Sequence, residues 1–351
     1  MVRYKQTTVQ KDLKNITEVE QIDWTKLCKK RVLISGANSM LATYLIYTLA
    51  YLNDHHHLQV QILASARNMA KANERFGDLL GREDLELVEH DVRQPFAYDG
   101  PVDYIIHAAS NASPWFILND PVGIIQANTL GTMNLLEFAR GKQVQNVLFL
   151  STREVYGKAV KEVIDEEAYG AFDILESRAC YPESKRAAES LLRSYYDQFQ
   201  VPFTIARIAH TYGPGMEVAN DGRIMSDLLY NVLQREDIVL KSDGSAERAF
   251  CYLSDAISGL FTILLHGEVS QAYNLANEQE PIQIRDLAQE LMTLFPDRGM
   301  KLVFDIPSVA NKGYSKMGRT RLDTRKLEAL GWKPRVDLRQ GITQTIQSFE
   351  E

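Results

Sequence analysis

Tyr181 and Lys185 form a Tyr-x-x-x-Lys spacing at the start of a segment rich in helix-forming residues, and Pro182 suits the first position of that helix. In an α-helix this spacing places both side chains on the same face, one turn apart. A phenol with a reference pKa of about 10 is a poor base at neutral pH, but a neighbouring ammonium group favours its phenolate form. Tyr181 is therefore a candidate to accept a hydroxyl proton. The alternative is a chance pair on a solvated helix, because this spacing is common.

Thr152 lies in the segment STREVYG, directly after a predicted strand at residues 146–151. Residues that follow the strands of an open α/β sheet are the usual ligand contacts, and a hydroxyl group there can hydrogen-bond the reacting oxygen. Thr152, Tyr181 and Lys185 together form a more specific pattern than any one of them alone. We predict that these three residues are catalytic.

A turn of small residues connects the first predicted strand, RVLIS at 31–35, to a helix that begins at about residue 40. Such a turn lets backbone N–H groups and the helix N-terminus approach a pyrophosphate, as in dinucleotide-binding proteins. The turn holds a single glycine, so an ordinary strand-to-helix connection is an equal alternative for this motif alone. The predicted cofactor contacts here are Gly36, Asn38, Ser39, Met40 and Leu41.

Further positions at the carboxyl ends of later strands favour the dinucleotide, and an oxidised nicotinamide beside Tyr181 would also favour the phenolate. Arg67 follows the second strand, where a carboxylate would bind the ribose of NAD. Because an arginine there could accept the 2′-phosphate of NADP, this position leaves NAD and NADP both open. The other predicted cofactor contacts, besides Tyr181 and Lys185, are Asp91, Val92, Ala108, Ala109, Ser110 and Asn128.

Short runs of β-branched residues alternate with helical segments from Arg31 onward, which predicts an α/β fold, a Rossmann-type doubly wound parallel sheet. The run PFTIARIA at residues 202–209 is expected to close this sheet. A helical leader is predicted from its apolar residues Leu13, Ile16, Val19 and Ile22. The expected parts are the leader (1–30), which docks on the main domain, a dinucleotide-binding Rossmann domain (31–209), and a smaller C-terminal α+β region (210–351) that mainly binds substrate and returns some segments to the sheet.

The composition is that of a folded, acidic chain of 351 residues. Its 39 basic minus 46 acidic side chains give a net charge of -7, which argues against nucleic acid as a partner. No stretch approaches the roughly 18 apolar residues of a membrane span, and the N-terminus lacks a signal-peptide pattern, so we expect a cytoplasmic protein without membrane contact. The three distant cysteines predict no disulfide, and we expect no metal site at the adjacent histidines 55–57.

From about Arg31 onward the chain resembles the extended short-chain dehydrogenase/reductase family, specifically the enzymes that modify nucleotide-linked sugars. The resemblance is carried by STREVYG, RACYPESKRAAE, IARIAHTYGPG, NDGR, GSAERAFCYLSDA, YNLAN and LGWKPRVDL. Among these enzymes it is most similar to UDP-glucuronate decarboxylases, also called UDP-xylose synthases; dTDP-glucose 4,6-dehydratases and UDP-sugar 4-epimerases are more distant. The resemblance implies a retained nicotinamide cofactor and oxidation at sugar C4 by Thr152, Tyr181 and Lys185.

The chain departs from the family pattern directly after Thr152. A related 4,6-dehydratase carries an Asp-Glu pair there, in which one carboxyl group protonates the leaving 6-hydroxyl. Here Arg153 stands at the aspartate position and Glu154 remains, so loss of water is disfavoured because a guanidinium group cannot be that acid. Decarboxylation of a 4-keto uronic acid needs no proton removed from C5, and Glu154 or a water could help to reprotonate the enolate. A 4-epimerase needs neither carboxyl group.

The resemblance therefore implies UDP-glucuronate decarboxylation first, C4 epimerisation of a UDP-sugar second and 4,6-dehydration third. Outside the enzymes, the alternative is a dinucleotide sensor that regulates a partner. Sensors of that kind usually lose the tyrosine or the lysine, whereas this chain keeps Tyr181 and Lys185. By analogy with the family, a helix pair near residues 122–140 and 181–198 suggests a homodimer.

The resemblance also places a UDP-linked sugar among basic and polar residues of the loops. Arginine fits a pyrophosphate because its N–H donors are paired. His210 stands at a position where relatives usually have asparagine. For the basic residues at 312–326, which include Arg319 and Arg321, a solvated face is an equal alternative. The predicted substrate contacts are Ser113, Arg153, His210, Arg223, Arg248 and Arg321.

Overall fold

The computed structural model describes residues 2–158, 161–219, 221–306 and 321–351. The strands in these ranges are β1 (Arg31–Ser35), β2 (Gln61–Ala66), β3 (Leu85–Glu89), β4 (Tyr104–His107), β5 (Asn146–Thr152), β6 (Val163–Ile164), β7 (Phe203–Ile208), β8 (Thr211–Tyr212), β9 (Ile238–Leu240), β10 (Glu247–Arg248), β11 (Cys251–Tyr252), β12 (Gln271–Leu275), β13 (Ile282–Gln283), β14 (Leu302–Phe304) and β15 (Arg321–Leu322).

The helices in the same ranges are α1 (Thr7–Thr17), α2 (Met40–His56), α3 (Met69–Arg75), α4 (Pro114–Asn119), α5 (Pro121–Lys142), α6 (Cys180–Phe199), α7 (Ile224–Gln234), α8 (Leu253–His266), α9 (Ile284–Leu294), α10 (Arg325–Glu328) and α11 (Leu338–Glu350). Short 3₁₀ helices lie at Trp24–Leu27, Gly77–Leu79, Arg153–Tyr156, Ser177–Ala179 and Pro296–Arg298.

The central sheet has apolar residues on both faces. On β1, Val32 and Ile34 pack in a core with residues of α2 and α8, whereas Leu33 packs in a second core with residues of α5 and α6. Successive residues of a strand point to opposite faces, so a continuous apolar run needs helices on both sides. The predicted doubly wound α/β fold is confirmed.

Seven parallel strands form this sheet in the spatial order β12-β7-β5-β4-β1-β2-β3. The chain moves outward from β1 to β3 and then crosses back to β4 on the other side of β1. In sheets of this type, ligands bind outside the carboxyl ends of the strands where the strand order reverses. That point lies here between the ends of β1 and β4.

The prediction that residues 202–209 close the sheet is wrong, because β12 lies outside β7. Gln271–Leu275 pairs in parallel with Thr204–Ile208. Ile205 and Ala206, which point to opposite faces of β7, are both buried and pack in the two different cores, as in an interior strand with a neighbour along each edge. A segment from the C-terminal part of the chain therefore returns to the sheet, and the boundary proposed at residue 210 stays a prediction.

Helix α6, which carries Tyr181 and Lys185, begins two residues earlier than predicted, at Cys180. The 3₁₀ turn Ser177–Ala179 runs directly into it, so Pro182 occupies the third helical position and not the first. Proline is accepted there because the first four N–H groups of a helix have no intrahelical acceptor.

The predicted leader contains α1 and docks on the main body of the protein. Leu13 and Ile16 lie within α1, whereas Val19 and Ile22 follow it, and all four are buried. Helix α1 contacts α2, α8 and α11. A separate hydrophobic core lies in the C-terminal part, where residues of α7, α9 and α11 pack together.

A buried ion pair fastens α6 to the strands beneath it. Arg207 on β7 contacts Glu189 on α6 at 2.7 Å, with side chains that are 14% and 11% exposed. The Ser151 hydroxyl of β5 donates a hydrogen bond to the same carboxylate, and Arg207 also donates to the backbone oxygen of Glu166 at 2.7 Å. Buried charges stabilise a fold only when their hydrogen bonds are completed in this way.

The leader brings one acidic side chain, Asp12, into the interior. Its Oδ2 accepts hydrogen bonds from the hydroxyl groups of Tyr44 at 3.0 Å and Tyr252 at 2.8 Å. Burial raises the pKa of Asp12 to about 7, although both hydroxyl groups act in the opposite direction. The folded protein thus holds this proton to a higher pH than the unfolded chain does, and the stability it contributes is lost as the pH rises through about 7.

We expect Asp12→Asn to flatten the pH dependence of stability. The amide keeps an acceptor for the two hydroxyl groups without gaining a charge. Between pH 5 and pH 8 the free energy of unfolding of the variant should therefore fall by roughly 1–3 kcal/mol less than that of the wild type. Denaturant titrations at both pH values measure this difference. The same substitution at Asp297, which is exposed, is the control and should leave the dependence unchanged. Parallel pH profiles for wild type and Asp12→Asn would contradict the account.

Candidate active site

The turn after β1 packs directly against the turn after β4. Gly36 has a φ of 69°, and a Cβ atom there would lie 2.6 Å from the Cα of Ala109 and 3.0 Å from the carbonyl carbon of Ala108. Only glycine fits this position. Ser39 caps α2 by accepting a hydrogen bond from the Ala42 amide at 3.3 Å, while the first amides of the helix, beginning at residue 40, have no intrahelical acceptor.

Three of the predicted cofactor residues carry a buried polar atom without a partner in the part of the chain that the structure describes. These atoms are Asn38 Oδ1, Ser110 Oγ and Asn128 Oδ1. The amide nitrogens of both asparagines are satisfied, by the Asn68 carbonyl and by the Ser184 hydroxyl, each at 2.9 Å. Buried polar atoms are normally paired, so this group fits a polar ligand at the end of the sheet.

Asp91, which follows β3, lies close enough to Arg67, which follows β2, for the charge of Arg67 to act on it. Arg93 donates hydrogen bonds to both carboxylate oxygens of Asp91. Mainly these bonds, with a smaller contribution from Arg67, lower the pKa of Asp91 to about 2. Val92 is buried and packs against Gly131 of α5. The sequence analysis did not identify Arg93, although its position two residues after the aspartate is a usable signal.

Tyr181 lies in a dry part of the site. It is buried, and burial raises the pKa of its phenol well above the usual value, with the charge of Glu154 as the second cause. A hydrogen bond with Thr152 acts in the opposite direction. The protein without ligands therefore keeps Tyr181 protonated.

Lys185 contacts the end of β5. Its ammonium group donates a hydrogen bond to the Leu150 carbonyl at 2.7 Å and lies 4.5 Å from the centre of the Phe149 ring. Burial lowers the pKa of Lys185 to about 7, so the group is only partly charged near neutral pH. Desolvation is the largest influence on both side chains in the protein alone, and the expectation that Lys185 lowers the pKa of Tyr181 stays a prediction.

Glu154 has a basic partner that the sequence analysis missed. Arg178, which lies just before α6, donates a hydrogen bond to its carboxylate at 2.7 Å, and both side chains are about one quarter exposed. The Glu154 amide also donates to the Thr152 hydroxyl at 3.2 Å, which closes the short turn after β5. Glu154 is thus held beside Tyr181 as a paired carboxylate.

Two predicted substrate residues, Arg153 and His210, contact each other. Their Nη1 and Nε2 atoms lie 2.8 Å apart. Burial, followed by the charges of Arg153 and Arg248, lowers the pKa of His210 to about 3, so its ring is neutral and accepts the guanidinium N–H. Burial also lowers the pKa of Arg153, and Arg248 acts in the same direction.

The segment around Arg223 closes the site on another side. Gly222 has a φ of 80°, and a Cβ atom added there would lie 3.5 Å from the side chain of Pro114. Pro114 directly follows the predicted contact Ser113. Arg223 is ion-paired with the buried Asp221 and lies close enough to Tyr181 to lower its pKa. Arg223 thus lies beside Tyr181, and Ser113 lies next to the segment that carries Arg223.

Arg321 is not joined to this group. Its exposed side chain lies on β15, whose backbone pairs with β6, and the charge of Arg321 acts there on Asp323. Asn220 and Arg319 lie outside the described residues. In the described ranges, no three His, Cys, Asp or Glu side chains are grouped to hold a metal ion. No helix there has the length and apolar character needed to cross a membrane.

The fold and the grouping of Thr152, Tyr181 and Lys185 define an enzyme of the short-chain dehydrogenase/reductase class. The model of the NAD dependent epimerase/dehydratase family matches residues 32–276, which is more than half of the chain and extends from β1 to β12. The chain belongs to this family. Its cofactor is NAD, which resolves the choice that Arg67 left open.

Curated relatives are similar over nearly the whole chain. UDP-glucuronic acid decarboxylase 1 of Xenopus tropicalis is 34% identical over 326 residues, which cover 92% of this chain and 73% of the relative. UDP-glucuronic acid decarboxylase 5 of Arabidopsis thaliana is 30% identical over 329 residues, which cover 93% and 91%.

Solved structures share the fold. The UDP-glucose 4-epimerase of Thermotoga maritima with UDP-glucose has a TM-score of 0.75 at 18% identity, covering 91% of this chain and 98% of that chain. The dTDP-glucose 4,6-dehydratase DesIV of Streptomyces venezuelae, with NAD bound, has a TM-score of 0.74 at 21% identity, with coverages of 91% and 97%. At these identities the likeness concerns the fold.

We expect Gly36→Ala to weaken NAD binding about tenfold or more, because the new methyl group must push the Ala108–Ala109 turn away from the cofactor. Calorimetric titration with NAD measures the loss. Gly81→Ala is the control for backbone strain, since Gly81 has a φ of 84° with open space around it, and Gly77→Ala is the control for substitution alone. Equal NAD affinity in Gly36→Ala and Gly81→Ala would contradict the packing argument.

Proposed function

We propose that this enzyme removes carbon dioxide from a UDP-linked glucuronic acid after oxidising the sugar at C4. The observation that carries the proposal is the arrangement at the end of β5, where Thr152 and Glu154 meet Tyr181, and the arginine at position 153 replaces the acid that dehydration requires. The similarity to UDP-glucuronic acid decarboxylases supports the same reaction.

The unpartnered atoms of Asn38, Ser110 and Asn128, together with the close turn at Gly36, fit a dinucleotide. NAD, when bound, supplies the acceptor for a hydride from sugar C4. Residues at the amino end of α2, including Ser39, would hold the pyrophosphate, because a helix N-terminus favours negative charge.

Tyr181 takes the proton of the 4-hydroxyl group as the C4 hydrogen leaves with its electron pair. Because burial and Glu154 disfavour the free phenolate, proton transfer accompanies hydride departure and does not precede it. Thr152 hydrogen-bonds the oxygen that becomes the C4 carbonyl. Lys185 donates a hydrogen bond to the Leu150 carbonyl of β5 and contributes a partial positive charge to the site.

The new carbonyl allows the bond between C5 and the carboxylate carbon to break. Its electron pair enters the enolate over C5, C4 and O4, and carbon dioxide leaves. A water ordered by the ion-paired Glu154 then gives a proton to C5. Tyr181 returns its proton to O4 as C4 is reduced again, and bound NAD would supply the hydride that it had accepted, so the cycle needs no external oxidant.

We expect Tyr181→Phe to abolish the release of carbon dioxide and Glu154→Gln to slow it about 100-fold, since the amide cannot order a proton donor in the same way. The assay follows UDP-glucuronate conversion by the mass and stereochemistry of the product. Glu183→Gln on α6, where the side chain is about one third exposed, is the matched control and should keep wild-type turnover. Turnover of Glu154→Gln within a few-fold of wild type would contradict decarboxylation, and product of unchanged mass would indicate C4 epimerisation.

We also propose that the enzyme works as a homodimer. One face of α5 leaves Val122, Ile125, Leu130 and Met133 between 38% and 64% exposed, and a second copy of the chain would cover them. Its proposed location is the cytoplasm, in keeping with three cysteines that are all free thiols.

The dimer is tested by the double variant Ile125→Asp and Met133→Glu, which should be monomeric because two charges would be buried at the contact. Sedimentation analysis of the wild type and the variant measures the mass. Val239→Asp, at an exposed apolar residue of β9, is the control and should remain dimeric. A monomeric wild type would overturn this proposal.

A further inference from the structure

The proposed reaction gives no task to one half-buried pair of side chains in the site, Arg153 and His210. The two residues follow neighbouring strands of the sheet. Arg153 directly follows β5, His210 comes two residues after β7, and the last residues of these strands, Thr152 and Ile208, stand opposite each other. Arg153 is therefore the neighbour in sequence of Thr152, the residue proposed to hydrogen-bond the reacting oxygen.

His210 positions the arginine and adds no charge of its own. Its neutral ring accepts the N–H of Arg153 at 2.8 Å. The residue has a φ of 41°, a left-handed conformation that is costly for residues other than glycine and persists only where the surroundings enforce it. The fold thus accepts backbone strain to aim this ring at the guanidinium group.

The surroundings of Arg153 concentrate positive charge. Arg248 faces Arg153 closely enough to lower its pKa, and the carboxylates of Glu154 and Glu278 act on it in the opposite direction. Glu154 is already shared with Arg178. A half-buried guanidinium group carries several N–H donors in one plane, and a pair of them matches the two oxygens of a carboxylate.

We propose that Arg153, oriented by His210, forms a carboxylate subsite that recognises the acidic group on C5 of the sugar. The inference rests on the proposed function and deepens it, because it assigns the residues that distinguish a uronic acid from a neutral hexose. Arg153 also stands at the position where a related dehydratase has its acid. The substrate of that dehydratase carries a 6-hydroxyl group that leaves as water, whereas a uronic acid carries a carboxylate at the same carbon.

This contact acts on binding more than on the chemical step. The ion pair exists while the carboxylate is charged and is lost as that group leaves as neutral carbon dioxide. During the oxidation at C4 the carboxylate is still charged, so the ion pair stabilises the bound substrate and the transition state of that step alike, which lowers KM without raising kcat. Arg153 therefore selects the substrate and holds its carboxylate, while Tyr181 and the cofactor provide the driving force.

The test uses the NAD-loaded enzyme and compares UDP-glucuronate with UDP-glucose in calorimetric titrations. We expect Arg153→Gln to weaken UDP-glucuronate binding about 30-fold or more and UDP-glucose binding less than about threefold. KM for carbon dioxide release should rise by a similar factor, with a much smaller change in kcat. His210→Asn should produce a smaller shift in the same direction, and Arg153→Lys should restore part of the discrimination.

The control is Arg193→Gln, at an arginine of α6 whose side chain is 60% exposed, and it should bind both ligands as the wild type does. Equal weakening of both ligands by Arg153→Gln, or full discrimination in that variant, would overturn the subsite. If Arg153→Gln does not fold, Arg153→Lys and His210→Asn decide the question by the same ratio. A wild type that prefers UDP-glucuronate but releases no carbon dioxide would refute the decarboxylase and leave the subsite standing.

Discussion

The ion pair between Glu189 and Arg207 is the interaction on which the site depends. It joins α6 to β7, and Ser151 at the end of β5 completes the hydrogen bonds of the same carboxylate. These three elements carry the tyrosine and lysine, the threonine, and the arginine and histidine of the proposed carboxylate subsite. Because the pair is buried, losing one partner would leave an uncompensated charge, which typically costs 3–5 kcal/mol. The catalytic helix is thereby locked in register with the strand ends beneath it.

Desolvation is the common cause of the electrostatic character of this region. It keeps Tyr181 protonated, lowers the pKa of Lys185 to about 7 and that of His210 to about 3, and holds His107 neutral beneath the cofactor turn. In the protein alone these groups are therefore largely neutral, and the balance of charge depends on what binds. A cationic nicotinamide ring and an anionic sugar, each excluded from water, would act strongly on such a site.

The departures of this chain from the pattern of its family are structurally coupled. Arg153 and His210 are far apart in sequence, yet their side chains contact each other. A substitution at either position would therefore remove this contact for the other residue. Glu154 would lose its ion-pair partner if Arg178 were absent, and the pKa of Tyr181 responds to both charges. The site is thus a connected set of charges in which a change at one position alters the chemistry of the others, as expected in a low-dielectric environment.

The sequence by itself determined the class of fold, because alternating apolar strands and helices are local patterns that specify a doubly wound sheet. It also determined the face shared by Tyr181 and Lys185, and the glycine turn, since these depend on residues close together in the chain. Only the tertiary structure decided that Gln271–Leu275 closes the sheet, that Arg178 pairs with Glu154, and that Lys185 donates a hydrogen bond to the Leu150 carbonyl. Those outcomes depend on burial and on contacts between distant segments, which no local pattern encodes.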